Sequence, residues 1–248
     1  MPPKFLHVVW VAPLLLTSCT PAFYSTVGQN VPLFHNKGEV VVNGGLMSAG
    51  STSEAFVPTE IPNPGVAFQT AVAIDSNVAL FANYYHVDSE GDWNVNANYF
   101  EVGGGLFTYN PVSHFAAELF AGIGYGAIDN EATYETIDAK FMKYFLQPSI
   151  GFSGRVVEAA FTPRLGVVDY LSNTASYRDD VRNYFNEMAT TFVFEPGITL
   201  RVGFKNFKAQ YQMNYSTFQS DQLTEFDAVM KYYGSISFFA AIGRQWSR

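Results

Sequence analysis

Large apolar side chains alternate with small or polar ones along much of the chain, which is the period-two pattern of β-strands. In one such stretch, Val66, Phe68 and Val72 share one face, whereas Gln69 and Ala71 share the other. This alternation predicts ten strands, near residues 39–48, 65–75, 77–87, 97–109, 114–128, 143–153, 156–168, 191–204, 207–218 and 231–246. The pattern favours an all-β fold in which each strand has a large apolar face and a small or polar face.

Short and long connections alternate between these strands. Short turns are expected at residues 76, 110–113, 154–155 and 205–206, and longer polar stretches at residues 49–64, 88–96, 129–142, 169–190 and 219–230. Bacterial outer-membrane barrels show this order, with tight periplasmic turns and longer outer loops. The chain therefore resembles small outer-membrane β-barrel proteins over residues 38–248. The resemblance implies an antiparallel up-and-down transmembrane β-barrel of about ten strands, and it carries no family-specific catalytic motif.

A β-sandwich is the competing fold, because its strands alternate in the same way. A sandwich would expose polar faces to water, whereas the second face here consists largely of Gly, Ala, Ser and Gln. Hydrophobic residues make up 48% of the chain and charged residues only 15%, against about 25% charged residues in a typical soluble domain. This composition favours a barrel whose large apolar face contacts lipid.

Charge and cysteine content exclude several classes of function. The formal net charge is −8, so we expect no nucleic-acid partner, because phosphate contacts need a basic surface. The single cysteine excludes internal disulfides and cysteine-based metal sites. The four histidines are scattered along the chain, and we therefore expect neither a metal nor another cofactor.

The N-terminal residues have the pattern of an export signal. Lys4 precedes an apolar run, residues 5–16, that is too short to span a bilayer. The run ends in Leu16-Thr17-Ser18-Cys19, which resembles the lipobox of bacterial lipoproteins. The resemblance implies that residues 1–18 are a lipoprotein signal peptide and that Cys19 becomes the lipidated mature N-terminus. The alternative is an ordinary secretory signal with a cysteine there by chance.

Residues 19–37 are interpreted as a lipidated tether that precedes the barrel. The stretch that follows Cys19 carries no acidic run of the kind that directs some lipoproteins to the cell surface. We therefore expect localisation in the cell outer membrane, with the lipid anchor in its periplasmic leaflet.

Inward-facing charges form two layers when their heights are counted from the predicted periplasmic turns. The lower layer holds Glu118, Glu158, Arg201 and Lys208, and the upper layer holds Glu101, Lys143, Arg164 and Glu195. A ten-stranded barrel is only slightly wider than one that side chains fill, and buried charges must be paired. We therefore expect a charge-paired network that closes the lumen, and a narrow pore or a small-ligand pocket is the alternative.

Five glycines are expected on the inner face of two neighbouring strands, where they add no side chain to the lumen: Gly103, Gly105, Gly122, Gly124 and Gly126. With the turn centred at residues 110–113, Glu118 is expected opposite Gly105, and Glu101 opposite Gly122. The glycines would then make room for long Arg and Lys side chains that reach across the lumen.

A catalytic site at the outer rim would depend on His86, with Asp88 on the same strand face. Outer-membrane aspartyl-type proteases, which this architecture resembles, use an Asp-His pair and a facing Asp pair, and Asp179-Asp180 is the available second pair. His86 shares its face with Leu80 and Tyr84, which the pattern turns towards lipid. We therefore expect that the protein is not an enzyme.

Together these features predict a lipid-anchored outer-membrane barrel with a charge-plugged lumen. Its expected role is that of a structural or accessory subunit of an outer-membrane complex. Its expected partners are outer-membrane lipids and other outer-membrane proteins. Two alternatives stay open, namely a narrow porin or small-ligand binding barrel, and an outer-rim protease or lipid hydrolase.

Overall fold

The computed structural model describes residues 23–50, 63–90, 94–175, 190–218 and 229–246. The predicted signal peptide and Cys19 lie outside the described residues. Among the described residues, no helix is long and apolar enough to cross a membrane. In chain order the strands are β1 (Tyr24–Ser25), β2 (Val40–Gly50), β3 (Pro64–Ala73), β4 (Val78–Ser89), β5 (Asn94–Asn110), β6 (Phe115–Glu131), β7 (Thr136–Ser153), β8 (Val157–Ala175), β9 (Thr190–Gly203), β10 (Phe207–Tyr215), β11 (Thr217–Phe218), β12 (Val229–Met230) and β13 (Tyr232–Ile242).

Ten long strands form a closed antiparallel ring. Consecutive strands from β2 to β10 pair with one another, and β13 closes the ring by pairing with both β10 and β2. Closure leaves no long unpaired edge among the strands that the structure describes. The predicted all-β fold, an up-and-down barrel of ten strands, is confirmed.

The two ends of the barrel differ in their connections. One end, here called the short-turn mouth, carries the connections 74–77, 111–114, 154–156 and 204–206. The other end, the long-loop mouth, carries the connections 51–63, 90–93, 132–135, 176–189 and 216–231. Outer-membrane barrels keep short turns on the periplasmic side and longer loops outside.

Two of the predicted loops are largely strand. Most of residues 88–96 and 129–142 extends the β4–β5 and β6–β7 hairpins, leaving connections of only 90–93 and 132–135. The sequence pattern missed these ends because their outward side chains, such as Asp88, Asn96 and Lys140, are polar, whereas inward ones such as Val95 and Phe141 are apolar and buried. Strand pairing depends on backbone hydrogen bonds, so a polar hairpin continues beyond the apolar part of the wall.

The predicted register of β5 and β6 is wrong by two residues. Asn110 pairs with Phe115, and Glu101 consequently lies opposite Gly124 rather than Gly122. The cause is the four-residue connection 111–114, one position later than the predicted turn. A shift of two residues leaves every side chain on its predicted face, because the side-chain period of a strand is also two.

The inward glycines make room for aromatic rings, and the expectation that they accommodate Arg and Lys side chains is wrong. A Cβ atom at Gly126 would lie 2.3 Å from the Phe141 ring, and one at Gly122 would lie 2.5 Å from the Phe145 ring. These distances are shorter than van der Waals contact. Small residues on β6 therefore allow phenylalanine rings from β7 to fill the lumen.

The large apolar face of the sheet points outward. Phe68 and Leu80 are each about half exposed, whereas polar residues on the opposite face of the same two strands, such as Gln69 and Asn83, are buried inside. Similar outward side chains occur around the ring, including Leu46, Phe100, Leu119, Ile123, Tyr144, Ile150, Phe161, Ile198, Leu200 and Ile236. Monomeric proteins in water rarely expose a continuous apolar surface of this extent. The arrangement is the reverse of a sandwich, which would turn these side chains inward.

The outward face generates the first test. Phe68 lies in the middle of β3, where lipid contact would make a charge most costly. Phe68→Arg should lower the free energy of unfolding in phospholipid vesicles by about 2–4 kcal/mol. The control Val112→Arg, in an exposed turn at the short-turn mouth, should leave that free energy nearly unchanged. Equal effects from the two substitutions in a denaturant titration would contradict a lipid-facing Phe68.

Candidate functional site: the occupied lumen

An N-terminal segment, residues 23–36 and here called the plug, runs through the interior of the barrel. Every residue from Phe23 to Phe34 is buried, and His35 and Asn36 are partly buried. This corrects the interpretation of residues 19–37 as a tether over the part that the structure describes. The segment fills the lumen of its own barrel.

The plug passes once from one mouth to the other. At the long-loop mouth, Tyr24 pairs in parallel with Val229. At the short-turn mouth, the ring of His35 stacks on Tyr109 with centroids 3.7 Å apart. The Gly38 N–H then donates to the Ala73 carbonyl at 2.8 Å, where the chain turns into β2.

Side chains of the barrel wall bind the backbone carbonyls of the plug near its middle. The hydroxyl of Tyr85 donates to the Gly28 carbonyl at 2.6 Å, and the Arg164 guanidinium reaches the same oxygen at 3.5 Å. The Gln147 amide donates to the Asn30 carbonyl at 2.7 Å. An extended segment without a partner strand along its length has free carbonyls, and these donors satisfy them.

The same arrangement continues towards the short-turn mouth. Arg201 donates to the Val31 carbonyl. The Arg244 guanidinium donates to the carbonyls of Pro32 and Leu33 at 2.9 and 3.2 Å. The plug is therefore held by hydrogen bonds from charged wall residues as well as by its own side chains.

Plug side chains also bind the wall directly. The Gln29 amide donates to the Glu195 carbonyl at 2.7 Å, and the Gln29 backbone N–H donates to the Gln212 side chain at 2.9 Å. The Asn30 amide donates to the Asn83 side chain at 2.7 Å. These amides give the plug a defined register in the lumen.

All four charges of the predicted upper layer meet in one buried cluster, which the plug completes. Arg164 pairs with Glu101 at 2.8 Å and lies 3.9 Å from Glu195. Lys143 pairs with Glu195. The hydroxyl of Tyr24, from the plug, donates to Glu195 at 2.6 Å and accepts a hydrogen bond from Lys143 at 2.7 Å. Two acids and two bases therefore balance in a site that is almost fully buried.

Three of the four lower-layer charges also meet, together with two that sequence reasoning missed. Glu158 pairs with Arg201 at 2.9 Å and with Lys208 at 3.0 Å. Arg244 pairs with Glu158 at 2.5 Å and with Glu39 at 2.6 Å. Glu39 and Arg244 lie within the predicted strands 39–48 and 231–246, but just outside β2 and β13 as the structure has them. Alternation places Glu39 on the inward side with Val41, whereas it places Arg244 on the outward side with Ile242. Their opposite charges beside the two chain ends of the barrel are the available hint.

Glu118 lies apart from this cluster, contrary to the expected charge pairing of the lower layer. Its carboxylate accepts a hydrogen bond from the Phe34 N–H of the plug at 3.1 Å. No base among the described residues forms an ion pair with it. Across the β5–β6 ladder it lies opposite Phe107 rather than Gly105. Glu118 thus contacts the end of the plug rather than a neighbouring cation.

One cavity beside the plug is small. A cavity of about 20 Å³ lies towards the long-loop mouth, with Val27 of the plug and Tyr85, Tyr99 and Phe141 of the wall among its lining residues. Such a volume holds about one water molecule. The cavity is therefore too small for an organic ligand.

His86 and Asp88, the described candidates for a catalytic site at the outer rim, lie on the outer surface of the barrel. Asp88 is exposed, and His86 is partly exposed, with its ring Nδ1 3.1 Å from the side-chain oxygen of Asn98. Asp179 and Asp180 lie outside the described residues. Within the described ranges, His, Cys, Asp and Glu side chains form no group that could hold a metal ion. The absence of enzyme activity stays a prediction.

Comparisons with known proteins give distant structural similarities. No protein-family model matches the sequence, and no curated protein is similar to it. Among solved structures, the β domain of the Bordetella autotransporter BrkA aligns with a TM-score of 0.32 and 9% identity, over 84% of this chain and 98% of that chain. A bacterial polysaccharide outer-membrane secretin aligns with a TM-score of 0.24 and 10% identity, over 83% of this chain and 98% of that chain.

This chain has an outer-membrane β-barrel fold. The conclusion rests on the closed ring of ten strands, the outward apolar face and the buried charges inside. Similarities this distant carry no argument about activity.

The buried charges generate the second test. Arg164→Met leaves Glu101 without its cation and removes a donor to the plug. Breaking a buried pair in this way should lower the free energy of unfolding by about 3–5 kcal/mol. Adding Glu101→Gln to Arg164→Met should recover part of that loss, because the uncompensated charge is then gone.

A matched control lies at the short-turn mouth, where the pair Lys37–Asp75 is solvent-exposed. The Ser76 N–H and the Lys37 ammonium hold the pKa of the Asp75 carboxyl below its usual value. Lys37→Met should nevertheless leave the free energy of unfolding nearly unchanged, because exposed pairs contribute little. A loss as large as that of Arg164→Met would contradict the importance assigned to the buried cluster.

Proposed function

We propose that this protein is a lipid-anchored outer-membrane barrel with a closed lumen, and that it acts as a structural or accessory subunit of an outer-membrane complex. The observation that carries this proposal is the plug, whose residues from Phe23 to Phe34 are buried inside the barrel. A lumen filled by its own chain has no path for a solute. The barrel then contributes its surfaces and its anchor rather than a channel.

The lipid anchor rests on Cys19, which lies outside the described residues. The sequence Leu16-Thr17-Ser18-Cys19 supports lipidation by its resemblance to a lipobox. A barrel that is already inserted does not need an acyl chain to stay in the membrane. Lipidation would therefore serve to fix the N-terminus beside a neighbour, which supports a role in an assembly.

The porin alternative is less compatible with the contacts in the lumen. Opening a pore would require the plug to leave the lumen. The side-chain donors that now bind the carbonyls of the plug would then have no acceptors. Arg201 and Arg244 would each lose backbone acceptors. Unpaired buried donors are costly, and the closed state is favoured for that reason.

Planar-bilayer recording tests the closed lumen. The wild-type protein should show no steady conductance. Gln29→Ala combined with Asn30→Ala should produce intermittent openings, because the amides that fix the plug are removed. Asn98→Ala, which removes an exposed amide on the outer surface, is the matched control and should stay closed. Steady conductance through the wild-type protein would contradict a plugged barrel.

Affinity purification tests the accessory role. The tagged protein, extracted in mild detergent after cross-linking in cells, should bring down at least one other outer-membrane protein in near-stoichiometric amount. Cys19→Ala should weaken this association if the anchor fixes the N-terminus against the partner. Purification of the wild-type protein without any partner would contradict a subunit role.

A further inference from the structure

The direction in which the plug crosses the lumen is fixed by contacts at the long-loop mouth. The Thr26 N–H donates to the Met230 carbonyl at 3.0 Å, and the Thr26 hydroxyl lies 2.5 Å from the hydroxyl of Ser216. The Tyr170 hydroxyl donates to the Phe23 carbonyl at 3.3 Å. Residues 216 and 230 belong to the connection between β10 and β13, and Phe23 therefore lies at the mouth that carries the long loops.

The opposite end of the plug lies at the short-turn mouth. His35 approaches Ser153 of β7 at 2.7 Å, and the Asn36 amide donates to the Gly243 carbonyl at 3.0 Å. Both partners stand at the strand ends beside the short turns. Read from Phe23 to Asn36, the chain therefore runs from the long-loop mouth to the short-turn mouth.

Chain length limits where residue 19 can lie. Three residues lie between it and Phe23, and the four Cα–Cα steps from residue 19 to Phe23 span at most about 14 Å when extended. The apolar band of an outer-membrane barrel is about 25 Å tall. A return through the lumen is also blocked, because the plug itself occupies it. The chain between Phe23 and residue 19 is therefore too short to reach back to the short-turn mouth.

We propose that the mature N-terminus leaves the barrel on the cell surface, and that the acyl chains on Cys19 enter the outer leaflet of the outer membrane. This inference rests on the proposed lipid anchor and on the usual orientation of short turns towards the periplasm. It replaces the periplasmic leaflet expected from the residues after Cys19. The direction of the plug thus sets the leaflet that holds the anchor.

Surface labelling of intact cells tests the side of the N-terminus. A short hydrophilic epitope tag is inserted between Pro21 and Ala22. Matched control tags follow Val112, in the short turn 111–114, and Tyr134, in the connection 132–135 at the long-loop mouth. Both control positions are strongly exposed. Heat-modifiable migration in gel electrophoresis establishes that each tagged barrel has folded.

The N-terminal tag should bind antibody on intact cells as strongly as the tag after Tyr134. The tag after Val112 should bind only after the outer membrane is permeabilised. An N-terminal tag that behaves like the tag after Val112 would overturn the inference.

Metabolic labelling with a radioactive fatty acid separates this inference from the proposed function. Label that is present in the wild-type protein and absent from Cys19→Ala supports the anchor. A labelled protein with a periplasmic N-terminal tag would overturn the sidedness and leave the anchor intact. A surface tag on an unlabelled protein would overturn the anchor and leave the threading intact.

Engineered disulfides test the direction in which the plug crosses the lumen, without any tag. Thr26→Cys with Ser216→Cys should form an intrachain disulfide that changes the migration of the denatured, non-reduced chain. The control Thr26→Cys with Ser153→Cys pairs the same plug position with the short-turn mouth and should stay reduced. The reverse result would show that the plug crosses in the opposite direction.

Discussion

Hydrogen bonding between the wall and the backbone of the plug is the interaction on which the rest of the structure depends. The lumen is lined by donors that cannot stay unpaired in a dry interior. An extended chain that crosses this interior has carbonyls that need donors of their own. Tyr85, Gln147 and Arg244 each bind one or more of these carbonyls. Neither the wall nor the plug would be satisfied without the other.

The charges follow from the same constraint. Each arginine of the lumen divides its donors between a carboxylate and the plug: Arg164 binds Glu101 and Gly28, and Arg201 binds Glu158 and Val31. The guanidinium planes also lie against phenylalanine rings, with that of Arg201 3.9 Å from the centroid of Phe239. Arginine suits this position because one planar group can bind an anion, a carbonyl and a ring at once. The two charge clusters thus hold the plug as well as neutralise one another.

Strand alternation predicted the barrel well because each wall residue must face either lipid or lumen. The same pattern placed Glu101, Lys143, Arg164 and Glu195 at one height, and the structure brings them together. Alternation says nothing about a segment inside the barrel, since the plug belongs to neither face of the wall. Its composition held a signal, because Phe23, Val27, Val31 and Phe34 are too apolar for a solvated tether.

The positions that the sequence pattern predicted wrongly or missed each have a local structural cause. The register between β5 and β6 depends on where a four-residue turn begins, and the sequence leaves that position open by one residue. Glu118 faces inward as predicted, but whether it meets a cation depends on the plug, which places the Phe34 N–H beside it. Glu39 keeps the inward side of Val41, whereas Arg244 follows Gly243, whose φ is +79°, and turns inward against the alternation.

Hydrogen–deuterium exchange of the detergent-solubilised protein tests the occupied lumen most directly. Peptides covering residues 23–34 should exchange much more slowly than an unfolded peptide, because the plug is buried and the N–H groups of Thr26, Gln29 and Phe34 donate hydrogen bonds within the barrel. Exchange at the rate of an unfolded peptide, in a barrel whose strands stay protected, would contradict the account.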